Sequence, residues 1–186
     1  IAEERRLAAA MVSLGDSSDR VSRMVRAQYE ANPYPRWRAP AARPRVSVAA
    51  HLAALGAPQP EPLEVLVAGC GTGFEPIDLA RMDASLAITA LDLSAASLAY
   101  GERLAGALGL GAIRFVQGDI LDAAKLGGRF GLVSSTGVLH HMERPADGLA
   151  ALAEALARGG VLRVALYSER ARAWVVEAHR AIAGHG

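Results

Sequence analysis

The run Val65-Leu66-Val67-Ala68-Gly69-Cys70-Gly71-Thr72-Gly73 carries the strongest chemical signal in this chain. A β-branched, wholly apolar run reads as a strand buried on both faces. Glycines on alternate positions then give a tight turn whose backbone can approach a ligand closely. Pro76 suits the first turn of a following helix, where its missing N–H is not needed. Such a turn at the carboxyl end of a parallel strand is a small-molecule site. Two carboxylates follow at comparable places. Asp92 comes 23 residues after Gly69, near the roughly 20-residue spacing of an acid that accepts hydrogen bonds from both ribose hydroxyls. Asp119 closes Phe115-Val116-Gln117-Gly118-Asp119-Ile120. The segment Ser134-Ser135-Thr136-Gly137-Val138-Leu139-His140-His141-Met142 adds two imidazoles. Of these, His140 is either a base that takes the proton of an attacking hydroxyl or amine, or a side chain that shapes the pocket.

The elements that must position these residues alternate. Strands are expected at 63–68, 87–92, 112–117, 129–135 and 160–167. Helices are expected near 74–82, 94–108, 145–157 and 169–183. Ser94 is a good N-cap, and Gly109 and Gly159 stand where left-handed residues end helices. Strict alternation of strand and helix means a mostly parallel α/β sheet with helices on both faces. Residues 1–60 differ in texture and read as a helical N-terminal arm or lid on a ligand-binding domain at 61–186. Ile1 to Met11 form one expected helix. Asp19 caps a second, which ends near Asn32 because Pro33 disfavours helical geometry before it. Ser47 caps a third that ends at Gly56. Between them Tyr29, Tyr34 and Trp37 form either a lid over the ligand or a clamp that docks the arm on the core.

The glycine spacing decides between ligands. A dinucleotide turn needs G-x-G-x-x-G, and here the third glycine position holds Phe74. The observed G-x-G-x-G resembles motif I of the class I S-adenosylmethionine-dependent methyltransferases. The G-V-L-H-H stretch at 137–141 resembles the segment after strand four in many small-molecule methyltransferases. Gln28-Tyr29-Glu30-Ala31-Asn32-Pro33-Tyr34-Pro35-Arg36-Trp37 looks like a signature of bacterial methyltransferase domains often linked to tetratricopeptide repeats. The resemblance implies a Rossmann-like fold and S-adenosyl-L-methionine as cofactor. It implies transfer of a methyl group to a small-molecule or peptidic acceptor. It places Ala68, Gly69, Cys70, Gly71 and Gly73 at the methionine end, Asp92 and Leu93 at the ribose, and Gly118, Asp119 and Ile120 at the adenine. Ser135 and Thr136 join the cofactor set. Tyr29, Tyr34, Trp37, Gly137, His140 and Tyr167 would face the acceptor, with His140 as the catalytic candidate. Two departures stand out. Val67 occupies the position of motif I's usual acid, and the family's last two strands are not found, so the domain reads as C-terminally shortened. Both departures favour the competing reading, a cofactor-binding sensor or interaction module without catalysis.

Bulk properties narrow the rest. The chain has 186 residues, 52% hydrophobic and 21% charged, with a net charge of +1. It can bury a core, and its charge gives no reason to expect nucleic-acid binding. The arginines at 36, 38, 43 and 45 read as a solvated loop. The single cysteine, Cys70, excludes an internal disulfide or a cysteine-rich metal site. It sits in the glycine turn with no base beside it, so it reads as a small backbone-lining residue. Adjacent histidines point different ways, so no metal is expected there. No apolar run reaches membrane-spanning length. A cytoplasmic protein is expected, and Ile1 suggests a processed or excerpted start.

Overall fold

The computed structural model describes residues 2–38 and 44–168, with Arg170, Trp174 and Ala181. Six parallel strands form one sheet in the order β1-β4-β3-β2-β5-β6. Five of them are the strands expected from sequence: β2 (Glu64–Ala68), β3 (Ala87–Asp92), β4 (Ile113–Gln117), β5 (Phe130–Thr136) and β6 (Leu156–Ala165). The alternation of β2 shows how the layers arise. Val65 and Val67 pack with Ile77 and Leu98 under helices α4 (Phe74–Met82) and α5 (Ala95–Ala107). Leu66 and Ala68 pack with Leu139 and Leu152 on the opposite face, beneath α6 (Pro145–Ala155). Each such fully buried leucine contributes about 2 kcal/mol of burial free energy. Strand order reverses between β2 and β5. In such sheets the crevice at the reversal, outside the carboxyl ends, is the ligand site.

The arm is more than a helical appendage. Helices α1 (Ala2–Ala10), α2 (Arg20–Ala31) and α3 (Val48–Ala54) appear as expected, the last two capped by Asp19 and Ser47. Between α1 and α2, however, Val12 and Ser13 form β1, in register with Val116 and Gln117 on the edge of β4. Leu14 then donates its N–H to the Gln117 carbonyl at 2.8 Å. A two-residue strand has no periodicity, so nothing in its sequence announces it.

Three other details differ from expectation. Helix α6 stops at Ala155, and Leu156 already pairs with Phe130. Gly159, expected as a helix terminator, has a φ of +74° inside a bulge of β6, where pairing jumps from Phe130–Leu156 to Leu132–Val161. A 3-10 segment at Ile120–Leu126 follows β4 directly. The helix expected at 169–183 lies outside the described residues, apart from single positions, as does Arg43. The family's two further strands are not among the described residues.

Candidate functional site

The reversal of strand order opens a cavity of about 470 Å³. Gly69, Cys70 and Gly71 form one wall at the end of β2, with Asp92 and Leu93 from β3 and Asp119 and Ile120 after β4. All three glycines of the turn have positive φ, between +53° and +80°, a region that side chains with a Cβ rarely occupy. Their roles differ. A methyl on Gly71 would meet only the Tyr34 carbonyl oxygen, at 3.8 Å, so its face is open. A methyl on Gly69 would lie 2.4 Å from the Val138 side chain. One on Gly73 would lie 3.0 Å from the Gly101 Cα, so Gly73 brings α4 and α5 together and does not line the cavity.

Asp92 braces the turn. Its carboxylate accepts from the Gly71 N–H at 2.8 Å and the Ser94 N–H at 2.9 Å. Burial pushes its carboxyl above the ordinary range, the Glu30 carboxylate adds to this, and the N–H donors oppose it. A half-buried carboxylate in this state gains from any ligand hydroxyl that replaces lost water. Glu30 itself accepts from the N–H groups of Ala95 and Ala96, at 2.8 and 3.1 Å, and so stabilises the start of α5 from the arm. Cys70 is unsuited to nucleophilic work. Burial, then the nearby Asp92 charge, push its thiol well above the ordinary value, so it stays protonated.

Asp119 is held from two sides. Its carboxylate accepts from the Leu121 N–H at 3.0 Å and from the Ser17 hydroxyl at 2.5 Å. Ser17, in the arm, is a participant that the sequence reading missed, because only the fold brings it next to a residue about a hundred positions later. Gly118 is covered by the same segment: a methyl there would lie 2.8 Å from Leu14.

The arm supplies a wall of the cavity through Ser22, Val25, Tyr29, Tyr34 and Pro35. Trp37 does not line it. The Trp37 indole N–H donates to the Thr72 carbonyl at 3.2 Å, and its ring meets Phe74 edge-on with centroids 5.4 Å apart. Tyr100 donates its hydroxyl to the Trp37 carbonyl, and the Thr72 hydroxyl donates to the Pro35 carbonyl at 2.6 Å. Of the two sequence alternatives for these aromatics, Trp37 makes the contacts of a clamp, while Tyr29 and Tyr34 line the cavity.

The far side comes from β5, β6 and their loops. Thr136, Gly137, Val138, His141, Met142, Leu166 and Tyr167 line it. His140 does not. It lies between two rings, with centroids 4.1 Å from His141 and 4.3 Å from Tyr167. Ala68 and Ser135 are buried behind the surface. Lining residues missed by sequence, notably Thr72, Phe74, Met142 and Leu166, flank recognised motifs, so their neighbours were the available signal.

An acid from another element reaches the strand next to Val67. Val67, Ser134 and Arg163 stand in register across β2, β5 and β6. Glu75, from the first turn of α4, accepts from the Ser134 hydroxyl at 2.5 Å and from Arg163 at 2.9 Å. This carboxylate is engaged by Ser134 and Arg163 and does not line the cavity, so it does not replace the acid absent at Val67.

Similarity to known proteins agrees with this geometry. The family described as "Methyltransferase domain" matches residues 65–160. An uncharacterised protein of Synechococcus sp. is 38% identical over 180 residues, covering 89% of this chain and 42% of that protein. Trans-aconitate 2-methyltransferase of Deinococcus radiodurans is 41% identical over 101 residues, covering 54% of this chain and 36% of that enzyme. The chain thus spans less than half the length of these curated relatives. Among solved structures, one describing conversion of a disulfide bond into a thioacetal group during echinomycin biosynthesis is 30% identical, with a TM-score of 0.52, covering 77% of this chain and 60% of that one. The [4+2]-cyclase SpnF is 25% identical, with a TM-score of 0.50, covering 55% and 38%. Such scaffolds host more than one reaction, so the site must argue the chemistry. With its glycine turn and carboxylates inside the matched span, the chain belongs to the methyltransferase-domain family.

Proposed function

We propose that this chain binds S-adenosylmethionine and transfers its methyl group to a small-molecule or peptidic acceptor. The observation that carries this reading is the convergence of the Gly69–Gly71 backbone, Asp92 and Asp119 on one cavity at the reversal of strand order. The residues fit the cofactor. Gly71 leaves open backbone beside the space for the methionine end. Asp92 is a half-buried carboxylate suited to two ribose hydroxyls, and Asp119 with Ile120 offers an acceptor and an apolar face to a flat base. The relatives include a methyltransferase by name. A reducing cytoplasmic setting suits the lone thiol of Cys70.

When bound, the sulfonium supplies an already activated methyl. The protein's own work is then alignment and exclusion of water. The glycine turn and the two carboxylates fix one reactant, while α2 and Tyr34 roof the space. His141 brings an imidazole to the acceptor side, where a proton must be taken.

Isothermal titration with S-adenosylhomocysteine tests the reading. Binding in the micromolar range is expected, and none at millimolar ligand refutes it. A sensor without catalysis would bind and yet label no acceptor in extract supplied with methyl-labelled cofactor.

A further inference from the structure

We propose that the acceptor is a neutral, ring-bearing molecule with a nucleophilic hydroxyl, and that His141 takes its proton. This rests on the methyl-transfer reading and names the acceptor class and the base within the same cavity.

The first argument is charge. Among the described residues, no lysine or arginine lines the cavity. Its two carboxylates, Asp92 and Asp119, stand at the strand ends and already accept backbone N–H groups. A polycarboxylate would enter beside two anions with no lysine or arginine side chain to pair with it, a costly arrangement in a partly enclosed site. The match to trans-aconitate 2-methyltransferase therefore does not extend to an acceptor of that charge.

The second argument is shape. Tyr34, Phe74, Leu166 and Tyr167 line the cavity and are 41–71% exposed. Large apolar side chains open to solvent around one mouth mark a surface that a ligand covers, and aromatic planes favour a flat partner.

The third argument singles out the base. Of the two imidazoles, His141 lines the cavity and is exposed, whereas His140 stacks behind it against Tyr167. A phenolic side chain is a poor proton acceptor at neutral pH, and Cys70 keeps its own proton. The acceptor hydroxyl gives its proton to the His141 imidazole. The acceptor oxygen forms the new bond to the methyl carbon. The carbon–sulfur bond breaks with both electrons staying on sulfur, so the positive charge ends on His141, which releases the proton to water. His140 acts as a positioning residue that holds the His141 ring.

The test uses the protein saturated with S-adenosylhomocysteine, after titration has established that this ligand binds; failure at that stage sinks the underlying reading instead. Two probes follow, 2-naphthol and trans-aconitate. Saturable binding of 2-naphthol, with trans-aconitate at least tenfold weaker, is expected; equal or tighter binding of trans-aconitate overturns the acceptor class. For the base, 4-nitrophenol at pH 6 reports proton transfer directly, because its phenolate is yellow. A bound phenolate fraction at least threefold lower in His141→Gln than in the parent or His140→Phe is expected. With labelled cofactor, His141→Gln should lose about 100-fold in kcat on 2-naphthol with KM within threefold. An unchanged phenolate fraction and kcat in His141→Gln, or a larger loss in His140→Phe, overturns the assignment.

Discussion

The two ends of the cavity are built on opposite plans. At the ends of β2, β3 and β4, polar groups are few, buried or half-buried, and already bonded: Asp92 to two N–H groups, Asp119 to Leu121 and Ser17. On the β5–β6 side and under the arm, the wall is aromatic and solvent-exposed, with Tyr34 and Tyr167 among its most open members. A preorganised polar end suits one invariant ligand, because its groups need no rearrangement on binding. An open aromatic end suits partners recognised by shape. The difference teaches that a single cavity can hold a fixed reactant tightly and leave the second to surface adaptation.

Substitutions can break that contrast. Gly71→Val should act most strongly, since a branched side chain would enter the open face at a φ of +53°. S-adenosylhomocysteine affinity should fall at least 100-fold, about 2.7 kcal/mol, while 2-naphthol binding to the free protein changes less; calorimetry measures both. Asp92→Ala removes an acceptor shared by Gly71 and Ser94 and should weaken the same ligand by about 2 kcal/mol. In the parent, ligand hydroxyls favour the ionised carboxylate, whose pKa lies above the usual 3.8. Affinity should therefore drop as pH falls through that raised value, and titration across pH 4–7 should show a flatter profile in the variant.

Trp37→Ala tests the junction of the two ends. It deletes the edge-on contact with Phe74 and the bond to Thr72, and should cost about 1.5 kcal/mol of stability. Acceptor KM should rise more than cofactor affinity falls, because Tyr34 and Pro35 share the clamped segment. Asp19→Ala touches only the arm. The Ser22 N–H holds Asp19 below its ordinary range, and loss of the cap should cost about 1 kcal/mol at pH 7. That stabilisation exists above the unfolded carboxyl value and fades as pH falls through the lowered one. Melting at pH 7 and pH 3 should show the difference shrinking. Glu75→Gln should do least, under about 1 kcal/mol by thermal melting, because its partner Arg163 is largely exposed.

The polar end of the cavity was far more legible in the sequence than the aromatic end. Glycine spacing, a carboxylate after each of two strands, and caps at Asp19, Ser47 and Ser94 are local signals with local causes, and each cap is made. The β1 strand, the Ser17–Asp119 bond and the Glu75–Arg163 pair depend on residues far apart in the chain, which no periodicity encodes. The sequence reading chose His140, whereas His141 is the one that lines the cavity, because a three-residue 3-10 turn gives neighbouring side chains no repeating face. Gly159 misled for a related reason: a positive φ serves a bulge as well as a helix end.

The pairing of Val12 and Ser13 with β4 also bears on how the molecule is assembled. Those residues leave the ribosome long before their partner strand exists, and they carry Ser17 and the helix behind it. The Asp119 wall of the cavity is consequently finished by an earlier-made stretch of polypeptide returning to a later one. Until that return, the outer margin of β4 stands as an unprotected template for stray strands, so newly made chains should be most prone to clumping in that interval.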